Sequence, residues 1–130
     1  MNIVDKDGEL LALILRSGQQ EASKYFATKD EQEFQVASFN LDEDEEILRH
    51  THPKQERVIN TTSEVIIVLE GSLEVEIFDN DLTLCEKQEI GPGDVLALFG
   101  GGHGLKMLSK CKFVEVKQGP YLEDEDKIRF

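Results

Sequence analysis

Glu64-Val65-Ile66-Ile67-Val68-Leu69, then Gly71, then Leu73-Glu74-Val75-Glu76-Ile77-Phe78, is the stretch that decides the fold. Both halves are rich in β-branched residues, the second alternates apolar and charged side chains, and a glycine stands between them. That pattern predicts two strands joined as a hairpin. Toward the C-terminus, Asp79-Asn80-Asp81 marks a turn, after which Leu82 and Leu84 alternate with Thr83 and Cys85. Ile90-Gly91-Pro92-Gly93-Asp94 marks another turn and feeds Val95-Leu96-Ala97-Leu98-Phe99. Gly100-Gly101-Gly102-His103-Gly104 is the most glycine-rich stretch; a last strand runs from Cys111 to Lys117, and Gly119-Pro120 ends it. Toward the N-terminus, Ile47 to His52 reads as a further strand, Asp42 to Glu46 as a solvated acidic loop, and Glu33 to Phe39 as strand-like. Leu10 to Leu15 is too continuously apolar for periodicity to decide, and admits a short helix after Asp7-Gly8 or a buried strand. Short strands at regular spacing, separated by turn signals, predict one all-β domain of sandwich or barrel type.

Composition narrows the partners. The chain has 130 residues, enough for one domain, and 39% of them are hydrophobic, enough for a modest core. Against 27 acidic residues stand 14 basic ones, a formal net charge of -13. Binding to a phosphate backbone needs clustered Lys and Arg, and an anionic membrane surface repels such a chain. The first residues carry no basic leader, and Leu10 to Leu15 is far shorter than the ~20 residues of a bilayer span. The expectation is a cytoplasmic protein that binds a small molecule, with no nucleic acid and no membrane as partner. Cys85 and Cys111 are spaced for neither a zinc ribbon nor a redox Cys-x-x-Cys, and are expected as reduced, mostly buried thiols. No Gly-x-Ser-x-Gly elbow and no phosphate-loop lysine occurs, so nucleophilic hydrolysis has no support.

The chain has only three histidines. His50 and His52 stand two apart in an expected strand, which turns both imidazoles to one face. Glu64 shares the face of Ile66 and Val68, and a carboxylate turned into an apolar interior is costly unless it is paired or bound to a metal. His103 lies beyond the Val95 to Phe99 strand, among glycines. Three imidazoles and a carboxylate form a donor set suited to iron, manganese, nickel, cobalt or zinc, so His50, His52, Glu64 and His103 are the expected ligands of one divalent transition metal. Ile66, Val68, Phe99 and Phe113 are the expected apolar lining. Arg57, Lys106 and Lys117, with Gln118, are the expected contacts to an anionic ligand such as a carboxylate, phosphate or sugar acid. Glu115 and Lys117 share a face of the last strand. Tyr121 reads as an anchor for the C-terminal tail, and Glu123 to Asp126 as a solvated acidic run.

His50-Thr51-His52, then Glu64 with six residues before Gly71, and then Gly93-Asp94 leading on to His103, resemble the two motifs of the cupin superfamily. The resemblance covers about residues 33–117, most of the chain. Glu115 to Tyr121, with Asp126 to Phe130, is similar to the ending of a group of small bacterial single-domain cupins. The resemblance implies a double-stranded β-helix, or jelly-roll barrel, over residues 33–118. An N-terminal segment 1–32 would pack on it, and 119–130 would form a tail. It also implies a homodimer and a metal-dependent enzyme of oxygenase or isomerase/epimerase type acting on a small polar or sugar-like molecule. The alternative is a non-catalytic module that binds a sugar or an acid. The 11 residues between His52 and Glu64 exceed the short gap usual in the family. Glu56 fits the usual gap without the following glycine and stays a minor alternative to Glu64. The Pro53 to Ser63 insertion is expected to rim the cavity.

Overall fold

Leu10 to Leu15 is a strand, and its unbroken apolar sequence has a physical reason: both of its faces are covered. The computed structural model describes residues 1–19, 22–121 and 126–130. Among them are ten strands: β1 (Asn2–Val4), β2 (Leu10–Leu15), β3 (Lys24–Phe26), β4 (Ala37–Phe39), β5 (Glu64–Glu70), β6 (Leu73–Phe78), β7 (Leu84–Ile90), β8 (Val95–Leu98), β9 (Gly102–Met107) and β10 (Lys112–Lys117). They form a five-stranded sheet of order β1-β2-β8-β5-β10, a three-stranded sheet β7-β6-β9 and the hairpin β3-β4. Every ladder is antiparallel. Among the described residues no helix is long and apolar enough to cross a membrane.

The main core lies between the two larger sheets. Ala12, Ile14, Ile66, Val68, Leu96 and Leu98 from one meet Leu73, Val75, Ile77 and Ile90 from the other. On the far side of the five-stranded sheet, Leu13, Leu15, Ala97 and Phe99 pack with Ala27, Phe34 and Val36 from around the β3-β4 hairpin. The registers Ile14↔Leu96 and Leu13↔Ala97 send alternate pairs to opposite cores. Residues 2–15 therefore supply two strands of the large sheet, with β2 between β1 and β8.

Four sequence expectations need correction. First, β5 and β6 are not a hairpin: β5 pairs with β8 and β10, whereas β6 pairs with β7 and β9. Their apolar faces meet across the core instead of lying side by side, so the chain changes sheets at Gly71. That glycine has φ 77°, and a Cβ there would stand 2.1 Å from the Lys110 carbonyl oxygen. Second, Ile47 to His52 forms no strand. Ile47 and Leu48 are exposed, and no neighbouring strand satisfies their backbone groups, which is what a strand needs. Third, Phe99 belongs to the far-side core, not to the face of Ile66 and Val68. The thiol expectation also changes: both cysteines are free, but Cys85 is exposed and Cys111 half-buried.

The turn between β7 and β8 is organised by one buried carboxylate. Asp94 accepts from the Ser17 amide at 2.7 Å and the Gly91 amide at 3.1 Å, and pairs with Arg16 at 3.0 Å. Arg16 also donates to the Glu89 carbonyl and to Gln88 Oε1, which ties β2's exit to the end of β7. Burial works against the Asp94 charge, but the two amides and Arg16 more than offset it and hold its carboxyl below the ordinary 3.8. Because the folded-state value is depressed, this contribution is present above the ordinary carboxyl range and is lost as pH falls through and below it. Asp94→Asn should therefore cost about 1–3 kcal/mol at neutral pH, with the deficit shrinking toward acid. Thermal melts of both proteins across that pH range check it; a deficit that does not change with pH contradicts the charge-based account.

Candidate functional site

Where β5 opens, the inward face of the large sheet changes from apolar to charged. Ile66 and Val68 are fully buried, and Glu64, two residues earlier on the same face, has a side chain only 12% exposed. Its register partner on β10 is Lys117. The Lys117 ammonium lies 3.2 Å from Glu64 Oε1. The other oxygen, Oε2, lies 3.3 Å from His103 Nε2. His103 comes from the opposite sheet, where β9 places it across from the buried Ile77 of β6. One carboxylate thus joins a cation on its own sheet to an imidazole on the facing one.

The electrostatics follow from that geometry. The His103 contact, working against burial and joined by Lys117, pulls the Glu64 carboxyl down to about 2. Glu64 is ionised at neutral pH. Lys117 is held above its ordinary 10.5, first by the Asp126 carboxylate, and then, against burial, by Glu64. The Tyr121 ring stands 5.4 Å from the same ammonium, close enough for a cation–π contact.

Of the residues singled out from the sequence, the structure brings together Glu64, His103 and Lys117. His50 and His52 stand elsewhere, in the exposed segment before the Pro53 to Ser63 insertion. Their rings meet edge-on with centroids 5.1 Å apart, and His50 Nδ1 lies 2.9 Å from the Leu48 carbonyl oxygen. Glu56 and Arg57 are exposed on the insertion, where Arg57 donates to Gln55 Oε1 at 3.4 Å. Lys106 is exposed and registers with Glu74, on the opposite face of β9 from His103. Glu115 shares the inward side of Lys117 by alternation, yet it is exposed. Among the described residues, no three His, Cys, Asp or Glu side chains are gathered into a group that could hold a metal ion. Glu64 and His103 fit such an ion in donor chemistry; His50 and His52 are not placed beside them.

Two clefts reach residues next in sequence to the site, Gln118 in one and Ser63 in the other, but Glu64, His103 and Lys117 line neither. One of about 240 Å³ is lined by Ile59 to Thr62 and Gln118 to Pro120. The other, of about 350 Å³, includes Ser63, Phe34, Phe99, Gly100 and Gly101. Glu33 shapes the second by accepting from the Asn60 amide and side chain, at 3.0 and 2.8 Å, which ties down the end of the insertion.

Sequence reading missed Asp126 and placed it in a solvated acidic run. Its side chain is only 8% exposed and ion-pairs with Lys117; Glu123, Asp124 and Glu125 of that run lie outside the described residues. Nothing in the spacing of Lys117 and Asp126 signals the pair. Comparison with protein-family models, curated proteins and solved structures finds no match.

Removing Lys117 leaves a carboxylate with poor access to water and one donor fewer. Lys117→Met should destabilise the fold by about 1–3 kcal/mol, with Glu64→Gln in the same background recovering part of the loss. The resulting double-mutant cycle should give a coupling of roughly 1 kcal/mol or more, measured by denaturant unfolding. A coupling indistinguishable from zero contradicts a desolvated pair.

Proposed function

We propose that this chain is a single-domain cupin whose two facing sheets are those of a jelly-roll barrel, and that it is a metal-dependent enzyme acting on a small anionic or sugar-like molecule. The observation that carries the reading is the meeting of Glu64 and His103, from two different sheets, at 3.3 Å. Both are members of the donor set read from the sequence. The edge of β9 beyond His103 has no strand among the described residues, and Ile47 to His52 has the alternation of a strand. Laid along that edge with His50 and His52 inward, it would complete the set and bring the Pro53 to Ser63 insertion over the opening.

A divalent transition metal bound there would polarise a carbonyl or hydroxyl oxygen of the ligand. The chain's own groups supply the rest. Glu64 and His103 would hold that ion from two sheets, their 3.3 Å approach turning carboxylate and imidazole toward one point. Lys117 offers a positive charge for a carboxylate or phosphate. Arg57 joins as a secondary contact when the insertion closes, and Lys106, on the other face of β9, is left for a second copy of the chain, a homodimer being part of the same proposal.

A second reading, a non-catalytic module that binds a sugar or acid, is favoured by the same Lys117. It is already engaged by two carboxylates, as a recognition group is and a proton-transfer group need not be.

Metal content by mass spectrometry, on untagged protein purified without added metal, separates the two. The enzyme reading expects about one iron, manganese, nickel, cobalt or zinc per chain. His50→Ala with His52→Ala should abolish it while leaving the thermal melt unchanged, and Glu64→Ala should do what Glu56→Ala does not. Full metal content in the double histidine variant sinks the ligand assignment, and a wild type that takes up no metal on titration makes the binding module the leading account.

A further inference from the structure

Two side chains of the C-terminal tail reach back to the site. Asp126 ion-pairs through Oδ2 with Lys117. Phe130 meets Phe78 edge-on with centroids 5.1 Å apart. Its ring also lies on Gly102, where a Cβ would stand within 2.8 Å of it. Gly102 immediately precedes His103, so the tail is fastened on both flanks of the Glu64, His103 and Lys117 group: once on β10 and once at the start of β9.

The two carboxylates on Lys117 are not equivalent. Glu64 is the first residue of a strand paired on both sides, so its backbone is fixed beside Lys117. Asp126 belongs to no strand. The other fastening is also light, because Phe130 is 64% exposed on its glycine seat. An ammonium is a compact point charge that takes one carboxylate as readily as another.

We propose that Asp126 holds the place of a ligand's carboxylate on Lys117, and that residues 126–130 are a strap which an anionic small molecule must displace. This rests on reading Glu64, His103 and Lys117 as a ligand site, and adds to it an internal competitor. The strap is part of the same chain, so it competes at a high effective concentration. The affinity measured for an anionic ligand is lowered by the fraction of molecules in which the strap is fastened.

The test is an NMR titration of the full chain with glucuronate, using glucose as the uncharged control, while the ring signals of His103 and Phe130 are followed. The wild type should bind glucuronate with the Phe130 signals moving away from their anchored positions, and glucose should not bind. Asp126→Asn should bind glucuronate about tenfold more tightly or better, and Phe130→Ala should move the affinity the same way. Lys117→Met should lose binding. The strap is overturned if glucuronate binds but Asp126→Asn and Phe130→Ala leave its affinity unchanged, or if the wild type saturates with Phe130 still anchored. Equal binding of glucose, or binding that survives Lys117→Met, overturns the carboxylate assignment. No binding to any variant, Asp126→Asn included, overturns the underlying reading of an anionic ligand site.

Discussion

The ionised carboxylate of Glu64 is the constraint on which the charged end of the molecule depends. It heads a strand whose next two inward residues, Ile66 and Val68, are sealed in the core, so the register that buries them also commits Glu64 to the interior side. A carboxylate there needs donors, and the two it has come from different sheets: Lys117 beside it on β10 and His103 opposite on β9. The same group therefore closes one end of the core and joins the two sheets by a polar contact. Moving β5 by one residue would turn Ile66 and Val68 out of the main core and would separate Glu64 from both partners.

The apolar part of this arrangement was legible in the sequence, and the pairings were not. Alternation locates β6, β8 and β10 and predicts that Glu64 shares a face with Ile66 and Val68. It says nothing about which strand lies beside which. The Glu64 to Phe78 stretch therefore reads as a hairpin when it is a crossing between sheets. β9 was hidden because glycines occupy two of its first three positions, and glycine carries no strand signature. Leu10 to Leu15 was ambiguous because a strand covered on both faces loses the alternation that identifies strands.

The site divides along the same line. Glu64 could be found because its parity is set by its own strand. The contact with Lys117 required the β5-β10 register, and the contact with His103 required knowing which sheet faces which. Asp126 could not be found at all, since an acidic residue in an acidic tail gives no sign that it is anchored on a lysine. His50 and His52 were singled out by a strand pattern that the described structure does not use. The metal proposal lays that segment along the edge of β9, where no strand lies among the described residues.

Glu64 holds together the fold, the metal contact proposed with His103 and the anion contact proposed for Lys117. Its protonation is accordingly the quantity to measure. The side-chain carboxyl carbon of Glu64, followed by NMR through an acid titration of the wild type, should titrate near 2. A midpoint at the ordinary 4.5 would mean that His103 and Lys117 do not hold the carboxylate in solution, and would contradict the account at its centre.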